Sequence, residues 1–201
     1  LLARDKQFGC RRSENDWDFW GVGKDGSRVA LEGLPYPGLH LDNAVVAIEA
    51  WIQSGLPLDV DSVRSALAHT RLPGRYQVVD GDIQVILDVA HNPQAAAYLT
   101  ERLADRPIPG STHGIVAMYA DKDCAGVLSL LDEVVDHWYL AGMAEDRGES
   151  ADGLKARLSG ADRSAVATYD RVGSAYRDVM TKADKGDRVV VSGSFAAVAE
   201  A

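Results

Sequence analysis

Residues 85–96, VILDVAHNPQAA, pass from an unbroken apolar run through a polar turn into a helix start within twelve positions. Val85, Ile86 and Leu87 lack the alternation of a strand with one wet face, which predicts a strand buried on both sides, as in parallel sheets layered by helices. Asp88 then stands at the carboxyl end of that strand. Asn92 and Pro93 read as the N-cap and first residue of a helix continuing through Gln94-Ala-Ala-Ala-Tyr-Leu99, because an amide oxygen satisfies an unpaired helix N–H and proline has none to satisfy. Open α/β sheets bind ligands outside the carboxyl ends of their strands. Asp88 and His91 are therefore candidate ligand-facing residues, Asp88 as an acceptor for ribose hydroxyls and His91 as an anion or proton partner. The competing reading keeps Asp88 and Asn92 as helix caps only, and this segment alone leaves both open.

Strand and helix continue to alternate around this segment. Strands are expected at 76–79, 83–88, 114–119, 137–141, 165–169 and 188–192, and helices at 93–104, 124–135, 151–158, 172–183 and from about Ser194. Such alternation implies an α/β fold with a mostly parallel sheet under helices. Upstream the pattern differs. Residues 16–32 read as a β-hairpin around Lys24-Asp25-Gly26-Ser27, and helices follow at 41–54, stopped by Gly55, and at about 61–69. Gly21, Gly23 and Gly26 spell a formal G-x-G-x-x-G, but Arg28-Val-Ala-Leu31 continues as strand where a dinucleotide fingerprint must open a helix. The Pro-Gly connector from Thr70 to Arg75 places a boundary near residue 72, giving segments 1–71 and 72–201. A hairpin with two helices makes a poor domain alone, so the first segment reads as the end of something larger.

Composition narrows the function classes. A net charge of -9 with a pI near 4.9 argues against a general nucleic-acid surface, which needs clustered Lys and Arg, but leaves room for a small anionic ligand. No apolar run approaches the roughly 20 residues that cross a bilayer, and a cytoplasmic location is the expectation. Cys10 and Cys124 are far apart and belong to no Cys/His cluster, so neither a disulfide framework nor a zinc site is expected.

Two further turns join the same expected sheet edge. Val189-Val-Val-Ser192-Gly193-Ser194-Phe195 ends a buried strand in small residues before an apolar helix, which suits either anion reception by backbone N–H groups and a hydroxyl or a tight packed turn. Met118-Tyr-Ala-Asp121-Lys122-Asp123 offers Lys122 to a phosphate, with Asp121 or Asp123 as helix caps. Asp88, His91 and Ser194 contain the residue types of a hydrolase triad, but no G-x-S-x-G elbow is present. No G-x-x-x-x-G-K-[ST] occurs either, so the chain lacks its own P-loop, and if it handles ATP the phosphate cradle is expected outside it.

Leu72-Pro-Gly-Arg75-Tyr-Gln-Val-Val79, Val85-Ile-Leu-Asp88-Val-Ala-His91-Asn-Pro93, Asp121-Lys122-Asp123 and Gly193-Ser194-Phe195 resemble the folylpolyglutamate synthase/dihydrofolate synthase family of the Mur ligase superfamily. Leu39-His-Leu-Asp-Asn43-Ala-Val-Val-Ala47 extends the likeness upstream. The resemblance implies a Rossmann-like C-terminal domain at 72–201, preceded at 1–71 by the C-terminal remnant of a central P-loop ATPase domain, with the active site in the cleft between the two domains. It thereby implies a C-terminal fragment, inactive alone and binding ATP weakly at best.

By the same resemblance, ATP is contacted by Asn43, Arg75 and Asp88, glutamate by His91 and Ser194, and a phosphate by Lys122. No metal ligand is expected in this chain, Mg²⁺ being held mainly in the missing N-terminal ATPase domain. The implied reaction is ATP-dependent addition of L-glutamate to dihydropteroate or a folate polyglutamate through an acyl phosphate, by a monomer with no nucleic-acid or membrane partner. Two alternatives stand beside it: a Mur ligase C-terminal domain acting on a peptidoglycan precursor, and a non-catalytic nucleotide-binding module. The turn Asp88-Val89-Ala-His91 and the preceding Leu-Pro-Gly-Arg75 favour the folate branch, and the joint presence of Asn43, Arg75, Asp88 and His91 weighs against a purely structural descendant.

Overall fold

The computed structural model describes residues 2–159 and 166–201. The chain divides into two compact units, Leu1–Leu72 and Pro73–Ala201. In the first, β1 (Gly9–Arg12), β2 (Trp17–Val22) and β3 (Arg28–Leu34) form an antiparallel sheet in the order β1-β2-β3. The expected hairpin is β2 and β3. Its loop closes by Gly23 N–H donating to the Ser27 carbonyl at 2.7 Å, with Gly26 at φ +84 and the Asp25 carboxylate accepting from Ser27. The formal G-x-G-x-x-G therefore spans a hairpin, and β3 starts at Arg28.

Strand β1 was not expected. Gly-Cys-Arg-Arg has no apolar alternation, and only its pairing from Gly9↔Trp20 to Arg12↔Trp17 makes it a strand. Helices α1 (Leu41–Ser54) and α2 (Val60–His69) cover this sheet, Leu41, Val45, Ile48, Ile52 and Leu67 packing with Trp17, Phe19, Leu31 and Leu34. Each such side chain, fully buried, contributes roughly 1.5–3 kcal/mol.

The second unit contains β4 (Gln77–Val79), β5 (Gln84–Asp88), α3 (Pro93–Ala104), β6 (Thr112–Val116), α4 (Cys124–Leu131), β7 (His137–Ala141), α5 (Ala151–Arg157), β8 (Ala167–Tyr169), α6 (Val172–Lys182), β9 (Arg188–Ser192) and α7 (Phe195–Glu200). Its sheet runs β4-β5-β9-β6-β7-β8, with β4 antiparallel to β5 and every other pair parallel. Successive strand residues feed two cores, as the apolar run at 85–87 predicts. Ile86, Val116, Leu140 and Val190 pack with Leu99 and Leu103 of α3, Val127, Leu128 and Leu131 of α4, and Leu154 of α5. Val85, Ile115, Tyr139, Val189 and Val191 face Val172, Ala175 and Val179 of α6 and Ala197 of α7. The fold is α/β, a mostly parallel sheet between two helical layers.

Several boundaries differ from expectation by one to four residues. The strand expected at 114–119 begins at Thr112, which pairs with Arg188, and ends at Val116, so Ala117 and Met118 are buried in the turn that follows it. The helix expected at 124–135 stops at Leu131, where Val134 N–H donates back to the Leu131 carbonyl in a tighter turn. Of the strand expected at 165–169, residue 165 lies outside the described residues, and pairing begins at Ala167. No helix among the described residues is long and apolar enough to cross a membrane.

Candidate functional site

Strand order positions the site. The chain leaves β5 through α3 and β6 through α4, both on one face of the sheet, whereas it leaves β9, which lies between them, into α7 on the other face. Connections that depart in opposite directions from neighbouring strands open a crevice at their carboxyl ends. Asp88 and His91 follow β5, Ser192 to Phe195 follow β9, and Tyr119 to Asp123 follow β6. Direct bonds stitch these three turns together: Ser192 Oγ donates to the Ala90 carbonyl at 3.1 Å, and Ala117 N–H to the Ser192 carbonyl at 3.2 Å.

Asp88 does not cap α3. Its Oδ1 accepts from Ala90 N–H and its Oδ2 from Tyr76 N–H, both at 2.8 Å, so the carboxylate pins the turn after β5 to the connector before β4. Burial pushes this carboxyl above its ordinary value, while the two N–H donors and the guanidinium groups of Arg75 and Arg102 pull it back. Asn92 is the cap, accepting from Ala95 N–H at 2.9 Å with Pro93 at the helix start.

The connector is fixed on both sides of Arg75. Gly74 takes φ +67, and its carbonyl accepts from Val89 N–H at 2.8 Å. Tyr76 also takes a left-handed φ, +44, which costs a residue with a side chain roughly 1–2 kcal/mol. Burial of its ring, the bond from its O–H to the Arg102 carbonyl at 3.2 Å and the Arg102 guanidinium 3.7 Å from the ring centre offset that strain. Arg75 itself is exposed, with its guanidinium carbon 5.6 Å from the centre of the Phe195 ring.

His91 Nδ1 lies 2.9 Å from the Val89 carbonyl. A carbonyl can only accept, so this contact places the ring proton on Nδ1 and leaves Nε2 for a ligand. Ser194 is 4% exposed and caps α7, its Oγ accepting from Ala197 N–H at 2.9 Å and lying 3.8 Å from Met143 Sδ. Gly193 before it has φ +118, and a Cβ there would overlap the Ala117 carbonyl and sit 2.7 Å from Met118 Cγ. Lys122 is paired with Asp121 at 3.0 Å, and Asp123 caps α4 through Gly126 N–H at 2.9 Å. Both aspartates are thus committed, and among the described residues no group of three or more metal-ligating side chains is present.

Asn43 belongs to the other unit, exposed in the first turn of α1, where His40 Nδ1 caps the helix and Asp42 pairs with Arg4 at 2.7 Å. The turn residues Arg75, Asp88, His91 and Ser194 are brought to one sheet edge within the second unit. Sequence reasoning passed over Tyr76, whose signal was an aromatic next to a Pro-Gly turn, and Met143, for which the sequence carried none. The loop holding Met143 folds back on the turn after β6, Ala120 N–H donating to the Arg147 carbonyl and Glu149 N–H to that of Met118, both at 2.9 Å.

Comparison with known proteins places these features in a wider set. Residues 74–195 match the family described as Mur ligase, glutamate ligase domain. The dihydrofolate synthase/folylpolyglutamate synthase of Escherichia coli strain K12 is 38% identical over 199 residues, which are 99% of this chain and 45% of that protein. Among solved structures, E. coli FolC in complex with DHPP and ADP has a TM-score of 0.86 at 37% identity, covering 98% of this chain and 45% of that one. A bifunctional folylpolyglutamate synthase/dihydrofolate synthase with Mn, AMPPNP and L-glutamate bound gives 0.87 at 41%, covering 99% and 46%. The chain spans less than half the length of these relatives.

Proposed function

Because this chain belongs to the Mur ligase family through its glutamate ligase domain, we propose that it forms one wall of an ATP-dependent site that joins L-glutamate to dihydropteroate or a folate polyglutamate. The observation that carries this reading is the presence at one sheet edge of both an exposed arginine, Arg75, and a carboxylate, Asp88, held by two backbone donors. A guanidinium neutralises phosphate oxygens, and a carboxylate whose lone pairs are not exhausted accepts from ribose hydroxyls. Solved relatives with ADP or AMPPNP bound support a nucleotide in this role, and the one with L-glutamate supports the second substrate.

In the proposed reaction an acceptor carboxylate attacks the γ-phosphorus of ATP, ADP leaves, and an acyl phosphate forms. The glutamate amine then adds to the acyl carbon, and the tetrahedral intermediate expels phosphate to give the amide. Arg75 steadies phosphate charge, and Asp88 orients the ribose. His91 Nε2 accepts from the incoming amine, and Ser194 Oγ donates to a glutamate carboxylate in place of its weak contact with Met143. Asn43 meets the purine edge, and Lys122 reaches a phosphate only after releasing Asp121.

The reading assigns the Mg²⁺ ligands and the phosphate loop mainly to the ATPase part of a protein as long as the relatives. On its own the chain is expected to ligate no glutamate. The reading is of a cytoplasmic monomer. Mass spectrometry of the full-length protein's products tests it. With ATP and L-glutamate, dihydropteroate should gain one glutamyl residue while a muropeptide precursor stays unchanged, and the reverse pattern would move the protein to the peptidoglycan branch.

A further inference from the structure

Phe195 is a large apolar side chain that its unit does not bury. It is 62% exposed at the first residue of α7 and lies in none of the unit's apolar clusters. Its described partner is the guanidinium of Arg75, 5.6 Å from the ring centre, inside the range where a cation is drawn to an aromatic face. Among the described residues, Arg75 makes no hydrogen bond or ion pair through its side chain, so its donors stay available. The two backbones that carry this pair are unusually fixed. Gly74 and Tyr76 hold Arg75 between two left-handed residues, each tied to the turn after β5, and Gly193 holds Phe195 through a conformation that tolerates no Cβ.

An arginine loses rotamer freedom when a ligand immobilises it. A platform that restricts it beforehand lowers that cost without occupying a single N–H. Phenylalanine suits this task, since a carboxylate would consume the donors and lower the charge meant for a phosphate. We infer that Phe195 is a positioning residue for the ligase reaction, holding the Arg75 guanidinium ready at the carboxyl edge for the phosphates of the nucleotide. This inference rests on the proposed role of Arg75 in nucleotide binding.

Steady-state kinetics on the full-length protein, with ATP varied, test it in a cycle of Phe195→Leu, Phe195→Tyr, Arg75→Ala and the double variant Arg75→Ala/Phe195→Leu. An exposed cation–π contact predicts a KM for ATP raised about 2- to 5-fold in Phe195→Leu, with kcat and melting temperature unchanged and Phe195→Tyr restoring the wild-type value. In the Arg75→Ala background Phe195→Leu should add nothing, because the two residues act as one. The Arg75 Nε–H resonance should also lose its ring-current shift in Phe195→Leu.

Failures separate cleanly. If Arg75→Ala raises KM but Phe195→Leu does not, the positioning role is wrong and the nucleotide reading survives. A Phe195→Leu effect that persists in full without Arg75 would mean that the ring touches the nucleotide itself and would overturn the inference. An unchanged KM in Arg75→Ala removes the nucleotide reading at that residue and the inference with it.

Discussion

Tyr76, Gly74 and Gly193 show how single residues aim the carboxyl edge. A tyrosine at φ +44 is tolerated because its N–H is taken by Asp88 and its ring by the core and Arg102, so strain in the connector is held by the surroundings. Gly193 is the stricter case. At φ +118, with Ala117 and Met118 packed against the missing Cβ, Gly193→Ala should destabilise the fold by about 1–3 kcal/mol and displace Ser194, measured as a lower urea midpoint with unchanged slope. At this scale the sequence located Asp88, Asn92 and Gly193 through their place between an apolar strand and a helix. It did not reveal what Asp88 bonds to, because Tyr76 N–H arrives from twelve residues upstream through a conformation that propensity disfavours.

Elements are also joined at the opposite, amino edge. Asp187 Oδ1 accepts from Ser111 N–H at 2.8 Å, and its Oδ2 accepts from Asp184 N–H at 2.9 Å and lies 3.0 Å from His113 Nε2, linking the turn before β9 to the start of β6. Beside it Arg188, 4% exposed, donates to the Leu103 and Arg106 carbonyls at the end of α3 and to Thr112 Oγ1, where a cation complements the helix dipole. Burial alone would raise the Asp187 carboxyl, but the bonds from His113, Asp184 and Ser111 outweigh it and hold it at about 2.

A carboxyl lowered in the folded state contributes stability above its unfolded value, near 4, and loses that contribution as pH falls through about 2. Asp187→Asn should therefore cost about 1–3 kcal/mol at neutral pH and flatten the acid limb between about pH 4 and 2, followed by thermal melts across that range. A variant that keeps the wild-type acid limb would show that other carboxyls govern it. Helix starts were legible from caps such as Asn92-Pro93, but this network was not, since Ser111, His113 and Asp187 are separated by up to 76 residues and meet only when β6 and β9 pair.

The whole chain is two units with separate cores, and the fold class of the second followed from alternation of buried strands with helices. Strand order did not follow, because the insertion of β9 between β5 and β6 depends on which strands meet in space, and that insertion creates the crevice. The first unit was legible as a hairpin with helices but not as a three-stranded sheet, since β1 is a strand only by its partner. The central claim is that the carboxyl edge of the second unit faces the nucleotide of a glutamate ligase. It is tested most directly by ATP dependence of glutamate-driven ADP release in the full-length protein, comparing wild type with Asp88→Ala and with Asp187→Asn at the opposite edge. Loss of a buried acceptor for the ribose predicts a KM for ATP about 10-fold or more higher in Asp88→Ala and unchanged in Asp187→Asn; an unchanged KM in Asp88→Ala would contradict the account.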